Sequence, residues 1–160
     1  MIFVITGSEA FPFNRLIEEL DLMKKNKVIC TDVFIQLGSC NYIPSFCRYE
    51  KWLPFNKMRE NIAASELVIS HAGAGTTLLC LEMGKPLLIV TRRKKYGEHL
   101  DDHQVEFGEM MDKLGYAAVA YDVSELVGVY EKNKNRETCL LVENKVKNRL
   151  ISELNNWIGF

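Results

Sequence analysis

Residues 68–77 read "VISHAGAGTT", a strand-like apolar run that ends in His71 and passes through Gly73 and Gly75 into Thr76 and Thr77. The two glycines permit close backbone approach, and the imidazole and hydroxyls supply hydrogen-bonding groups, a combination suited to an anionic ligand. A tight strand-to-helix turn with a satisfied histidine would use the same residues. Thr6-Gly7-Ser8 also follows a strand-like run and precedes a helical one, so its N–H groups and the helix start could hold a phosphate; a bare turn needs the same glycine. Glu82 lies six residues past Thr76 in the same helical pattern. Its carboxylate could accept two hydroxyl hydrogen bonds, as from a ribose, or stand solvated.

The third chemistry-bearing stretch is "RRKKYGEHLDDHQ", residues 92–104. Its basic run, Arg92 to Lys95, suits a phosphate clamp and a solvated loop equally. His99, Asp101, Asp102 and His103 lack H-E-x-x-H geometry and a distant ligand, so no metal is expected. His103 and Gln104 open a predicted helix, where an imidazole and an amide could read sugar hydroxyls. Neither G-x-G-x-x-G at the first turn nor G-x-x-x-x-G-K-[ST] anywhere is present, which disfavours a standard NAD fingerprint and a P-loop.

The elements that must position these groups alternate. Apolar runs at 2–6, 32–38, 67–70, 86–91 and 117–121, with a short one at 48–53, read as strands. Helical spacing occupies 12–23, 56–65, 76–83 and 103–114, with Gly84 and Gly115 at the ends of the last two. Strand–helix alternation of this kind predicts a parallel sheet with helices on both faces, an α/β Rossmann-like fold. In such a sheet the three stretches should converge at the carboxyl ends of the strands. Residues 123–133 and 137–157 are further predicted helices, and no repeat or linker divides residues 1–160, so one domain is expected.

Composition narrows the class. A chain of 160 residues that is 48% hydrophobic and 26% charged can bury a core, and a net charge of −1 gives no bulk case for nucleic acid. Cys30, Cys40, Cys47, Cys80 and Cys139 include no C-x-x-C pair, so reduced, mostly buried thiols are expected. The opening "MIFVIT" lacks the basic start and cleavage site of a signal peptide, and no apolar run approaches the roughly 18 residues of a membrane span. These features predict a cytoplasmic protein.

Together, "VISHAGAGTTLLCLEMGKPLLIV" and "YGEHLDDHQVEFGEMM" closely resemble the carboxyl-terminal, donor-binding half of GT-B glycosyltransferases of family 28. The likeness is nearest to single-domain subunits of bacterial capsule and exopolysaccharide transferases. It extends to the catalytic subunit of the eukaryotic two-subunit UDP-N-acetylglucosamine transferase that acts on a dolichol-linked acceptor. "MIFVITGSEAFPFNRLIEELD" and "FIQLGSCNYIP" match that subunit family too, so the resemblance covers about residues 1–122.

The resemblance implies a UDP-sugar donor and no cofactor. By it, Gly7 and Ser8 lie beside the diphosphate, and His71, Ala72, Gly73, Gly75, Thr76 and Thr77 take the phosphates. Glu82 holds the ribose, and His103 and Gln104 face the transferred sugar, which could be galactose, glucuronic acid or N-acetylglucosamine. It further implies a separate, membrane-associated acceptor-binding subunit that carries the general base, recruits this chain to the cytosolic membrane face and presents a lipid-linked saccharide acceptor. Phe11, Phe13, Trp52, Trp157 and Phe160 are candidate contacts for that partner, against a more ordinary role in core packing. A non-catalytic enhancer or nucleotide-binding regulatory subunit is the alternative reading.

Overall fold

The computed structural model describes residues 1–135 and, beyond them, Ser152. Six strands, β1 (Ile2–Ile5), β2 (Val33–Gln36), β3 (Arg48–Glu50), β4 (Leu67–His71), β5 (Leu87–Val90) and β6 (Ala118–Ala120), form one sheet. Every pairing is parallel, in the order β3-β2-β1-β4-β5-β6. Helices α1 (Asn14–Lys25), α2 (Phe55–Ala64), α3 (Ala74–Glu82) and α4 (His103–Lys113) lie in the crossovers, and α5 (Leu126–Asn133) follows β6.

The strands are continuously apolar because both faces of the sheet are covered. Side chains alternate across it. Ile2 and Val4 of β1 pack with Leu16, Ile17 and Leu20 of α1 and with Leu126 of α5. Phe3 and Ile5 pack on the other face with Ile62 of α2, Leu81 of α3, and Phe107 and Met111 of α4.

Element boundaries shift by one to three residues from the expected ones. Helix α1 begins at Asn14 and not Pro12, because the Phe13 side chain is fully buried and its N–H donates to Cys40 Sγ at 3.1 Å. The predicted helix 123–133 opens as a 3₁₀ turn at Val123–Glu125, with the Asp122 carboxylate accepting from Ser124 N–H. The predicted helix 137–157 lies, apart from Ser152, outside the described residues, as do Cys139, Trp157 and Phe160. Cys40, Cys47 and Cys80 are buried free thiols and Cys30 is an exposed one; burial pushes Cys47 and Cys80 up to about 12, so both stay protonated.

Candidate functional site

Strand order reverses between β1 and β4, the switch point at which loops leave a parallel sheet in opposite directions and open a crevice. A cleft of about 510 Å³ lies there. Its floor and one wall come from Gly7 and Ser8 after β1 and from His71, Gly73, Gly75 and Thr76 after β4. The first two sequence stretches therefore meet as expected.

Helix α3 starts inside this cleft. Its N-cap is Gly73, with no side-chain cap, so the amides of its first turn are aimed outward with no intrahelical acceptor, which is an anion-binding arrangement. The His71 imidazole is 6% exposed and is clasped between two glycines. A Cβ on Gly7 would stand 2.6 Å from both His71 Cε1 and Nε2, and one on Gly73 would overlap Nε2 as well. Gly7 also has φ +88°, a left-handed backbone that only glycine adopts easily. Around Gly75, by contrast, a Cβ would meet nothing within 4 Å, so packing does not require that glycine.

His71 is neutral at physiological pH. Burial first, and then the Arg92 charge, push it down to about 4, against a carbonyl of Ile5 that favours the proton. Its Nδ1 lies 3.4 Å from Ile5 O and from Ser70 Oγ. Donation from Nδ1 to Ile5 O leaves Nε2 as the atom facing the two glycines.

Other expected site residues take different places. Ala72 and Thr77 are buried beneath the turn, and Thr77 Oγ1 has no hydrogen-bond partner among the described residues. Glu82 is the ninth and last residue of α3 and is exposed. It is outside the cleft lining and, at a rise of about 1.5 Å per residue, stands about 12 Å along the axis from Ala74. Glu82→Ala is accordingly expected to change UDP affinity by less than about threefold, under 1 kcal/mol, in a calorimetric titration.

The third stretch meets the first from below rather than across the cleft. Arg92, expected as a surface or clamp residue, is 1% exposed, and its guanidinium donates to Thr6 O, Phe11 O and Glu98 O. Glu98 in turn accepts a two-point ion pair from Arg15, at 2.7 and 3.1 Å, and a bond from Arg93 N–H. His103 and Gln104 do open α4, but neither lines the cleft. Gln104 is buried, with Oε1 accepting from Arg92 N–H at 3.3 Å; His103 Nδ1 faces Asp101 at 3.2 Å. Among the described residues no cluster suits a metal ion.

The lining also includes residues absent from the sequence-based donor set, among them Glu9, Gln36, Trp52 and Phe55. Trp52 and Phe55 are 52% and 67% exposed and give the cleft a flat apolar end opposite its anion-binding end. Their signal was an aromatic pair directly after a short edge strand. Gln36 is a polar residue closing an apolar strand run, and its Nε2 donates to Gly7 O at 3.3 Å. A larger crevice of about 690 Å³ lies between α1 and the loops after β5 and β6. Arg15 and Lys95 there are committed to ion pairs with Glu98 and Asp122, and the helical start at Val123–Glu125 that lines it is already capped by the Asp122 carboxylate.

Sheet order and a glycine-rich switch-point cleft define a Rossmann-like α/β domain of the GT-B glycosyltransferase kind. The solved glycosyltransferase SnogD from Streptomyces nogalater superposes with a TM-score of 0.55 at 16% identity, over 98% of this chain and 39% of that one. The solution structure of ALG13 superposes with a TM-score of 0.61 at 19% identity, over 93% of each chain. The family described as "Glycosyltransferase family 28 C-terminal domain" matches residues 1–152, and the chain belongs to it. In sequence it is 35% identical, over 82 residues, to the UDP-N-acetylglucosamine transferase subunit ALG13 of Candida albicans. That match covers 51% of this chain and 25% of the Candida protein.

Proposed function

We propose that this chain is the donor-binding subunit of a UDP-sugar-dependent glycosyltransferase that transfers a hexose to a lipid-linked saccharide. The observation that carries the reading is the switch-point cleft, where an uncapped helix start and a neutral His71 face an aromatic end across a space of nucleotide size. Phosphates suit the amides of α3 and the Gly7–Ser8 turn, and a base suits Trp52 and Phe55. Family membership supports glycosyl transfer, and a relative named as a UDP-N-acetylglucosamine transferase subunit favours N-acetylglucosamine over galactose or glucuronic acid.

In the reaction an acceptor hydroxyl attacks the anomeric carbon, the bond from that carbon to the β-phosphate oxygen breaks, and the electron pair leaves on UDP. Pre-aimed amides stabilise the charge gained by the leaving group without reorganising. The hydroxyl proton goes to a base on a separate, membrane-associated acceptor-binding subunit, which recruits this chain to the cytosolic membrane face. The exposed Trp52 and Phe55 are the candidate contacts at the cleft mouth, whereas Phe13 is core. Among the described residues no helix is long and apolar enough to cross a membrane.

The test is a calorimetric titration with UDP, followed by transfer from UDP-sugar to lipid acceptor with and without the partner's membrane fraction. UDP binding with transfer only in the mixture is expected; absence of UDP binding overturns the reading, and binding without transfer in the mixture favours a regulatory subunit.

A further inference from the structure

Arg92 is a buried cation without a carboxylate partner among the described residues. Its three hydrogen bonds go to the carbonyls of Thr6, Phe11 and Glu98, and it lies 5.1 Å from the face of Phe13. Its Nε has no partner among the described residues. The Glu98 carboxylate is taken by Arg15, and Glu9, which lines the cleft, acts on Arg92 only through space. Burying an unpaired charge is strongly unfavourable, and an apolar side chain of like volume would fill the space at less cost. Three carbonyl bonds satisfy three of its donors but do not neutralise the charge.

We propose that Arg92 is a positioning residue with an electrostatic role: it ties the loop after β1 to the loop after β5 and adds a fixed positive field at the floor of the diphosphate cleft. The inference rests on reading that cleft as a UDP site. The tie is direct, since Thr6 and Phe11 bracket Gly7 and Ser8, and Glu98 belongs to the other loop. The field reaches His71, where Arg92 is the largest contribution after burial in opposing protonation. A potential that opposes a proton favours an anion in the same place. In a site shielded from solvent it acts at longer range than a surface charge does. Its effect therefore falls on the phosphates and not on the base or ribose, and it needs no contact with the ligand.

Arg92→Met, Arg92→Lys and the parent chain are titrated with UDP and with uridine, which carries no charge, after circular dichroism confirms folding. Arg92→Met is expected to weaken UDP about tenfold or more while uridine changes less than about threefold. Arg92→Lys, which keeps the charge and loses the planar fork, is expected to hold the parent's preference for UDP over uridine to within about threefold and to melt at a lower temperature. Equal losses for both ligands in Arg92→Met, or no loss for either, overturn the electrostatic role. If Arg92→Met does not fold, Arg92→Lys decides: a retained preference supports the proposal and a lost one overturns it. A parent chain that binds neither probe overturns the UDP reading itself and the inference with it.

Discussion

Gly73→Ala is expected to weaken UDP binding by about a hundredfold or more while the protein stays folded. The new Cβ would overlap His71 Nε2, and the imidazole has no room to retreat because its ring is buried against Ile5 and Ser70. Ring and turn must shift together, which moves the first amides of α3 off the phosphate position; overpacking of this kind costs about 1–3 kcal/mol in stability. Gly75→Ala is the informative companion. Its Cβ meets nothing, and alanine in a helix is favoured over glycine by about 1 kcal/mol, so Gly75→Ala is expected to melt at a higher temperature. Yet it should bind UDP more weakly, because the methyl group occupies the side from which a phosphate approaches. Thermal melts and UDP titrations on the two variants check this; a Gly75→Ala protein that gains stability and keeps full affinity would place the phosphates elsewhere.

Acid sensitivity traceable to His71 is the second large effect. Its folded value of about 4 lies below the ordinary 6.5, so below pH 6.5 the unfolded chain takes up a proton that the fold refuses. Stability from this group is complete above pH 6.5, falls as the pH drops, and is fully lost below about 4. The total loss is about 3 kcal/mol. Denaturant melts between pH 7 and 4 should show that slope in the parent chain and lack it in His71→Asn. Saturating UDP should flatten it, since a phosphate beside Nε2 favours the proton. Superimposable slopes for the parent and His71→Asn would mean that the imidazole is solvated and not clasped.

The sequence by itself determined the architecture. Each of the six expected strands is present within a few residues, because strands buried on both faces of a parallel sheet must be continuously apolar and the intervening helices must carry a periodic apolar stripe. It also determined that the turns after β1 and β4 share a site, since loops at the carboxyl ends of adjacent parallel strands have nowhere else to go. Local pattern reports backbone conformation and solvent-facing chemistry, and both turns are local.

Tertiary structure alone decided which long side chains turn inward. "RRKK" reads as a uniform basic run, yet Arg92 is buried beneath the cleft while Lys94 and Lys95 are exposed, because only Arg92 stands at the end of β5 where three loop carbonyls converge. Glu82 and the cleft's aromatic end were decided the same way. Glu82 shares a helix with Thr76 but lies at its other end, and Trp52 and Phe55 reach the cleft from β3–α2, on the far side of β2. Spacing along a chain gives distance along one element, whereas a site is assembled from the ends of several, and their relative placement is set by packing across the whole sheet.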